Sequence, residues 1–235
     1  MRRTKGQSAC APHHEASESG NVIFFILLAV VLIGMVTVAV RSGGDGANID
    51  GETSSLRVSE IRQYADELSR GISFIMQQEV SESDIRFAHP GASTDYGDIN
   101  INPQFQMFHR NGGGADYKAP PADISAAPTW EFYGHTNMPG VGTSLPDLVA
   151  VMPSVTPAFC DIINQQNGYT QRPQDSTGDC VNAGAAQRFR TGATFTAAGS
   201  QNNADPATFS VQPALQGCVE CNGGGLHFFQ VLLAR

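Results

Sequence analysis

The chain has 235 residues, of which 14 are lysine or arginine and 22 are aspartate or glutamate, so its formal net charge is −8. Binding to phosphates needs clustered basic residues, and an acidic chain therefore predicts no nucleic acid partner. The hydrophobic content of 41% excludes a disordered chain, while 25 glycines and 13 prolines predict a loop-rich domain.

An apolar run near the start of the chain is the most informative feature. Residues 22–40 contain no charged side chain, and Thr37 is their only polar residue. With Asn21 the run is long enough to span, as a helix, about 30 Å, which is the thickness of the hydrocarbon core of a bilayer. The sequence therefore predicts a transmembrane helix over residues 21–40.

The flanks of this run predict its orientation. Arg2, Arg3 and Lys5 precede it, and basic residues favour the cytoplasmic side of a membrane. We therefore expect a cytoplasmic N-terminus and an exported C-terminal domain. A secretory signal peptide that is removed whole is a weaker interpretation, because its apolar region is usually about 7–15 residues long.

The junction before the run is distinctive. A basic leader, residues 1–20, ends in Gly20, and the apolar run begins almost at once. This junction resembles the class III signal of type IV pilins and pseudopilins, in which a prepilin peptidase cleaves after the glycine and the retained helix packs in a filament core. The resemblance implies cleavage between Gly20 and Asn21. It also implies filament packing by the residues that follow, namely Val22, Ile23, Phe24, Phe25, Ile26, Leu27 and Leu28.

The resemblance implies a function as well. The chain is expected to be a structural subunit of a type IV pilus-like or pseudopilus-like envelope filament, with other pilin-like subunits, the inner membrane and a prepilin peptidase as partners. It is expected to be a single-pass inner-membrane protein before assembly and part of a periplasmic or extracellular filament afterwards.

Two positions depart from the family pattern. Pilins typically have an aromatic residue at the first mature position and a glutamate at the fifth, where this chain has Asn21 and Phe25. These departures favour a minor or atypical subunit. They also leave open an alternative, which is an uncleaved, signal-anchored periplasmic binding protein or enzyme.

Beyond the apolar run, the glycine-rich residues 41–52 predict a break, and residues 53–235 predict an exported globular domain. Residues 53–79 have the apolar spacing of an amphipathic helix. In a pilin-like protein this helix lies against a sheet. The apolar residues on its predicted buried face are Ile61, Tyr64, Ala65, Leu68, Ile72, Ile75 and Met76.

Short alternating segments follow the helix. Strands are predicted at 85–87, 99–101, 105–108, 130–133 and 193–196, and short helical pieces are predicted within the proline-containing 145–166, the last of them over 158–166. The apolar segment 226–233 predicts a central strand with both faces covered. The predicted fold is therefore α+β and pilin-like: a transmembrane helix, then an amphipathic helix on a small antiparallel sheet, with long loops and disulfides.

The cysteines divide between the two sides of the apolar run. Cys10 precedes it, whereas Cys160, Cys180, Cys218 and Cys221 follow it, as expected for two disulfides in an oxidising compartment. A Cys218–Cys221 bond would close a very small loop and remove little chain entropy. The spacing therefore favours pairing of Cys160 and Cys180 with one each of the other two, while a zinc site and a redox-active C-x-x-C remain as alternatives.

No motif indicates catalysis. The six histidines lack the spacing of metal ligands, and the sequence contains no common nucleophile, zinc-protease or phosphate-loop motif. The triplet Gly112–Gly114 predicts a flexible turn, and the loop aspartates Asp95, Asp98, Asp116 and Asp123 do not form a calcium loop. We therefore expect neither an enzyme, nor a metal, nor a cofactor.

Overall fold

The computed structural model describes the backbone of residues 19–42, 46–92, 94–175 and 180–235. Side chains are described for residues 22–37, 53–92, 94–175 and 180–235. The chain forms two compact units, Met1–Asp50 and Gly51–Arg235. Residues 1–18 of the predicted leader lie outside the described residues. The described part is α+β, with three α-helices, a five-stranded mixed sheet and two disulfides.

The first helix, α1, runs over Ser19–Ser42. Among the described residues, no helix is both long enough and apolar enough to cross a bilayer. The predictions of a transmembrane helix and of a single-pass inner-membrane location are therefore wrong.

The second helix, α2, runs over Gly46–Gln77 and is the amphipathic helix that the periodicity predicts. Six of the seven residues on the predicted face are buried and Met76 is half-buried, because a helix repeats every 3.6 residues and brings these positions to one side. Since α2 begins at Gly46, its first turns fall within 41–52. The proposed limits of the leader, break and exported domain stay a prediction.

The main sheet contains five strands in the spatial order β1-β3-β7-β6-β4. A separate pair, β2 and β5, is parallel. The third helix, α3, runs over Pro157–Gln166, with Thr156 capping its first turn through the amide of Phe159. The strands are β1 Glu131–Tyr133, β2 Thr136–Asn137, β3 Leu148–Met152, β4 Gln174–Asp175, β5 Asn202–Asn203, β6 Gln216–Cys221 and β7 Leu226–Leu233.

Strand β7 occupies the middle of this sheet, as its near-continuous apolar sequence predicts. It pairs antiparallel with β3 on one side and with β6 on the other. Alternate side chains enter two different cores: Phe228 lies in a cluster that includes much of α2 and α3, whereas Phe229 lies in a cluster with Tyr169 and Phe209. Both faces of the sheet are therefore covered.

The predicted antiparallel sheet is wrong at one edge. Strand β4 pairs parallel with β6, through Gln174 and Glu220 and through Asp175 and Cys221. A parallel pair needs a long connection that returns the chain to the same end of the sheet, and about forty residues separate these two strands. The sequence gives no sign of this crossover, because β4 has only two residues.

Strand β3 also differs from prediction, since residues 148–152 fall in the region predicted as short helices. All five residues are buried, and Pro146 and Pro153 flank the strand instead of interrupting it. The helical prediction holds only for α3. The predicted strands at 85–87 and 105–108 form one isolated bridge, Arg86 to Gln106, while 193–196 contributes isolated bridges and 99–101 lies in a turn.

Candidate functional site

Helix α1 presents an apolar surface to its surroundings. The predicted packing residues Val22, Ile23, Phe24, Phe25, Ile26, Leu27 and Leu28 are all exposed, with exposed fractions between 45% and 62%. The apolar residues from Val30 to Val36 are similarly exposed. Because these positions are consecutive, they cover every side of the helix and not a single stripe.

The one polar side chain in this surface does not break its apolar character. The Thr37 hydroxyl lies 2.9 Å from the carbonyl oxygen of Ile33 and 2.8 Å from that of Gly34, within hydrogen-bonding distance of both. Because this hydroxyl donates its hydrogen within its own helix, it has no free donor to offer to an outside partner. Residues 22–37 therefore form a continuous apolar surface, which we call the α1 surface.

A surface of this kind indicates a binding partner. Monomeric soluble proteins rarely expose apolar patches larger than a few hundred Å², and larger ones mark contacts with other molecules. The α1 surface is therefore the candidate functional site.

The predicted cleavage site lies at the start of the same helix. Gly20 and Asn21 belong to α1, but their side chains lie outside the described set. The peptide bond between them stays a predicted cleavage site. Phe25, at the position where the family has a glutamate, belongs to the α1 surface and adds an apolar ring to it.

The four cysteines of the larger unit form two disulfides, Cys160–Cys218 and Cys180–Cys221. The predicted pairing of Cys160 and Cys180 with the two cysteines of the C-V-E-C segment is confirmed. Cys218 and Cys221 lie three residues apart on β6, and side chains at that spacing point to opposite faces of a strand. Their sulfurs therefore cannot bond to each other, and the redox-active C-x-x-C alternative is not formed. Two disulfides are typical of a protein in an oxidising compartment.

Two buried histidines of the larger unit, His89 and His227, are packing residues. His89 stacks on Tyr117 with ring centroids 3.4 Å apart, and its Nδ1 accepts a hydrogen bond from the amide of Gly91. The Nδ1 of His227 accepts one from the amide of Ser154. Burial lowers the pKa of each of these two histidines to about 4, so both are neutral near pH 7.

The other polar candidates serve local structure. Asp95 pairs with Arg188 and Asp123 pairs with Arg57, while Asp98 caps the turn at Asn100. Within the residues described, no group of three or more metal-binding side chains could hold an ion. The turn at Gly112–Gly114 is packed, because a side chain at Gly112 would meet the carbonyl oxygens of Gln106 and Pro103.

One buried cluster escapes prediction from the sequence. The guanidinium of Arg188 contacts both carboxylate oxygens of Glu131 at 2.7 and 2.8 Å, and the hydroxyl of Tyr96 donates to the same carboxylate at 2.8 Å. The sequence contains one sign of this cluster, which is the charged residue Glu131 inside the otherwise apolar strand segment 130–133. Its partners lie 35 and 57 residues away and could not be identified from spacing.

Comparison of the chain with known protein families, with characterised proteins and with solved structures found no match.

Proposed function

We propose that this protein is a structural subunit of a type IV pilus-like or pseudopilus-like filament, in which the α1 surface packs against the α1 helices of neighbouring subunits. The observation that carries the proposal is the α1 surface itself, apolar on every side and exposed over residues 22–37. A helix of this kind is covered on all sides when several other helices pack around it. A bundle of equivalent helices from neighbouring subunits provides such cover.

The energetics agree with this role. Burial of apolar surface contributes about 25 cal/mol per Å², or about 1.5–3 kcal/mol for each large apolar side chain. More than ten such side chains line the α1 surface, which is enough to offset the entropy that a subunit loses on joining an assembly. The larger unit, closed by two disulfides, supplies a stable outer domain for such a subunit.

The leader belongs to the same proposal. A prepilin peptidase would cleave after Gly20, leaving Asn21 as the first residue of the mature chain. Mass spectrometry of intact protein from the native source is expected to give the mass of 21–235. A mass that still includes the leader would contradict processing and favour an uncleaved binding protein or enzyme.

A variant sharpens this test. Gly20→Leu places a bulky side chain at the proposed cleavage site and is expected to accumulate the full-length precursor. The matched control is Gly6→Leu, which makes the same change within the leader away from the site and should be processed normally. Equal processing of both variants would contradict a requirement for Gly20.

Assembly is tested separately by a charge on the α1 surface. Val30→Asp places a carboxylate where the proposal requires apolar packing, which costs several kcal/mol when the charge has no partner. We expect loss of filaments by electron microscopy and of high-mass material by sedimentation. The control is Ile101→Asp, since Ile101 is an equally exposed residue (62%, against 61% for Val30) in the larger unit. Filaments that persist in Val30→Asp would contradict the proposal.

A further inference from the structure

A polar cavity lies in the larger unit, between α2, the end of α3 and the first residue of β6. Its volume is about 320 Å³, within the range of small-molecule sites in proteins. One wall is apolar and consists of Val211, Pro213 and Leu215. The remaining lining residues all carry polar groups: Arg62, Asp66, Asn167, Tyr169, Gln216 and Gln230.

Three primary amides are held in place in this cavity. The side chain of Gln216 donates to that of Gln230 at 2.7 Å, and Gln230 donates to the carbonyl oxygen of Val231 at 2.9 Å. Asn167 donates to the carbonyl oxygen of Gln216 at 3.0 Å. Gln216 and Gln230 are direct cross-strand partners in the pairing of β6 with β7. The amides are therefore fixed by the sheet before any ligand arrives.

One acceptor in this group is unsatisfied. The side-chain oxygen of Gln216 is buried and has no hydrogen-bond partner among the described residues. Buried polar atoms in proteins are nearly always paired, so this oxygen lacks a donor. Because this oxygen is closed to solvent, a ligand hydroxyl would supply that donor only once the Gln216 side chain turns toward the cavity.

The charges of the cavity cancel. Arg62 and Asp66 lie four residues apart on the same side of α2, and both line the cavity. The Arg62 guanidinium already donates to the side-chain oxygen of Gln166 at 3.0 Å. A charged ligand would gain attraction from one of the two groups and repulsion from the other, whereas a neutral polar ligand could bond to both.

The apolar wall restricts the ligand further. The side chain of Leu215 is about half exposed, and the ring of Pro213 lies beside it in the lining. Such a wall suits a molecule that has C–H groups on one face. The amides and the Asp66 carboxylate suit the hydroxyl groups at its edge, because an ionised carboxylate accepts hydrogen bonds and an amide both donates and accepts them.

We propose that this cavity binds a neutral carbohydrate, with one sugar ring lying on Pro213 and Leu215 and its hydroxyl groups bonded to Asp66 and the amides of Gln216 and Asn167. A purely apolar ligand would cover the charged groups of Arg62 and Asp66 without bonding to them, which is unfavourable. This binding activity goes beyond the proposed filament role and does not depend on it.

The test is saturation-transfer NMR on the full chain with glucose, galactose, mannose, N-acetylglucosamine and their β-linked disaccharides as probes. We expect saturation of at least one of them. Asp66→Ala and Leu215→Asp are expected to weaken its binding about tenfold or more, and both positions are exposed enough for the fold to be retained.

The matched control is Glu60→Ala, which removes an exposed carboxylate from α2 outside the cavity lining. Binding in this variant is expected to equal that of the unmodified chain. The proposal is overturned if none of the sugars is saturated, if both cavity variants bind as the unmodified chain does, or if the tripeptide triglycine displaces the sugar. None of these outcomes bears on filament assembly.

Discussion

At the scale of single residues, the most consequential contact outside α1 is the ion pair of Glu131 with Arg188. It lies beside the outer edge of β1, where Tyr96 donates to Glu131 and accepts a hydrogen bond from the amide of Phe132. Arg188 also contacts Asp95 at 2.8 Å. The pKa of Arg188 is raised, chiefly by its hydrogen bond to Glu131. Together with the backbone bridge between Arg188 and Tyr133, these side chains cover that edge.

Removal of the cation should therefore be costly. Arg188→Met leaves the Glu131 carboxylate, which is only 11% exposed, without its cationic partner, and loss of one member of a buried pair costs about 3–5 kcal/mol. We expect a loss of about 3 kcal/mol in the free energy of unfolding, measured by urea denaturation.

The control for this substitution is Arg57→Met. Arg57 pairs with Glu60 and Asp123 at the surface, and exposed pairs contribute about 0–1 kcal/mol. If both variants lose equal stability, the buried pair has no special role.

At the scale of elements, α3 protects the outer edge of β6. The side chain of Asn164 both donates to the carbonyl oxygen of Cys218 and accepts from its amide, each at 2.8 Å. One asparagine thus reproduces the two hydrogen bonds that a neighbouring strand would make, in a stretch that the two-residue β4 does not reach. Exposed edges promote pairing between molecules, and this arrangement prevents it. The disulfide Cys160–Cys218 joins the same helix to the same strand.

The asparagine can be tested by truncation. Asn164→Ala leaves two buried backbone groups of Cys218 unpaired, at a cost of about 1–3 kcal/mol each. We expect the midpoint of thermal unfolding to fall by several degrees, together with faster exchange of the Cys218 amide hydrogen. Gln165→Ala, an exposed neighbour on α3, is the control and should change stability by less than about 0.5 kcal/mol. Unchanged exchange at Cys218 in Asn164→Ala would contradict the capping role.

At the scale of the whole molecule, the larger unit is held by one sheet with a core on each face and by two disulfides across its layers. Three buried titratable groups set its dependence on pH. Burial lowers the pKa of His89 and His227 from 6.5 to about 4, and it raises that of Asp147 from 3.8 to about 6. The folded state therefore favours the neutral form of all three.

These shifts have opposite effects in acid. Between pH 6.5 and 4 the unfolded chain takes up a proton on each histidine that the folded chain does not, so stability falls as the pH falls. Asp147 has the opposite effect. As the pH falls from 6 to 3.8, its carboxylate takes up a proton in the folded chain before it does so in the unfolded chain, so the folded chain gains stability. Two histidines outweigh one aspartate. We expect these groups to contribute a net loss of about 3 kcal/mol across the window.

The dependence on pH can be assigned by substitution. His89→Phe preserves the ring that stacks on Tyr117 but removes the titrating group, and it is expected to make the fall in unfolding free energy between pH 6.5 and 4 less steep. His227→Phe should act in the same direction, whereas Asp147→Asn should make the fall steeper. Urea unfolding at several pH values measures all three. Identical slopes in His89→Phe and the unmodified chain would contradict the assignment.

Elements with strong local patterns could be predicted from the sequence. The buried face of α2, the helix α3 and the central strand β7 follow from apolar spacing and from flanking prolines and glycines. Loop entropy argues against a bond between Cys218 and Cys221, because that bond closes too small a loop, but which of the two pairs with Cys160 is decided only in the structure. The predicted membrane span is wrong, since no helix among the described residues is long and apolar enough to cross a bilayer. The parallel β4–β6 pair was missed because a two-residue strand carries no pattern of its own.

The sequence by itself determined where apolar residues concentrate: along α1, on one face of α2 and throughout β7. Hydrophobic periodicity is a local property, and each of these segments contains its own. Only the tertiary structure decided which distant polar groups meet, such as Glu131 with Arg188, Asn164 with Cys218, and the amides of Gln216 and Gln230. Hydrogen bonds and ion pairs depend on distances of about 3 Å between groups that can lie tens of residues apart, and sequence spacing does not encode those distances.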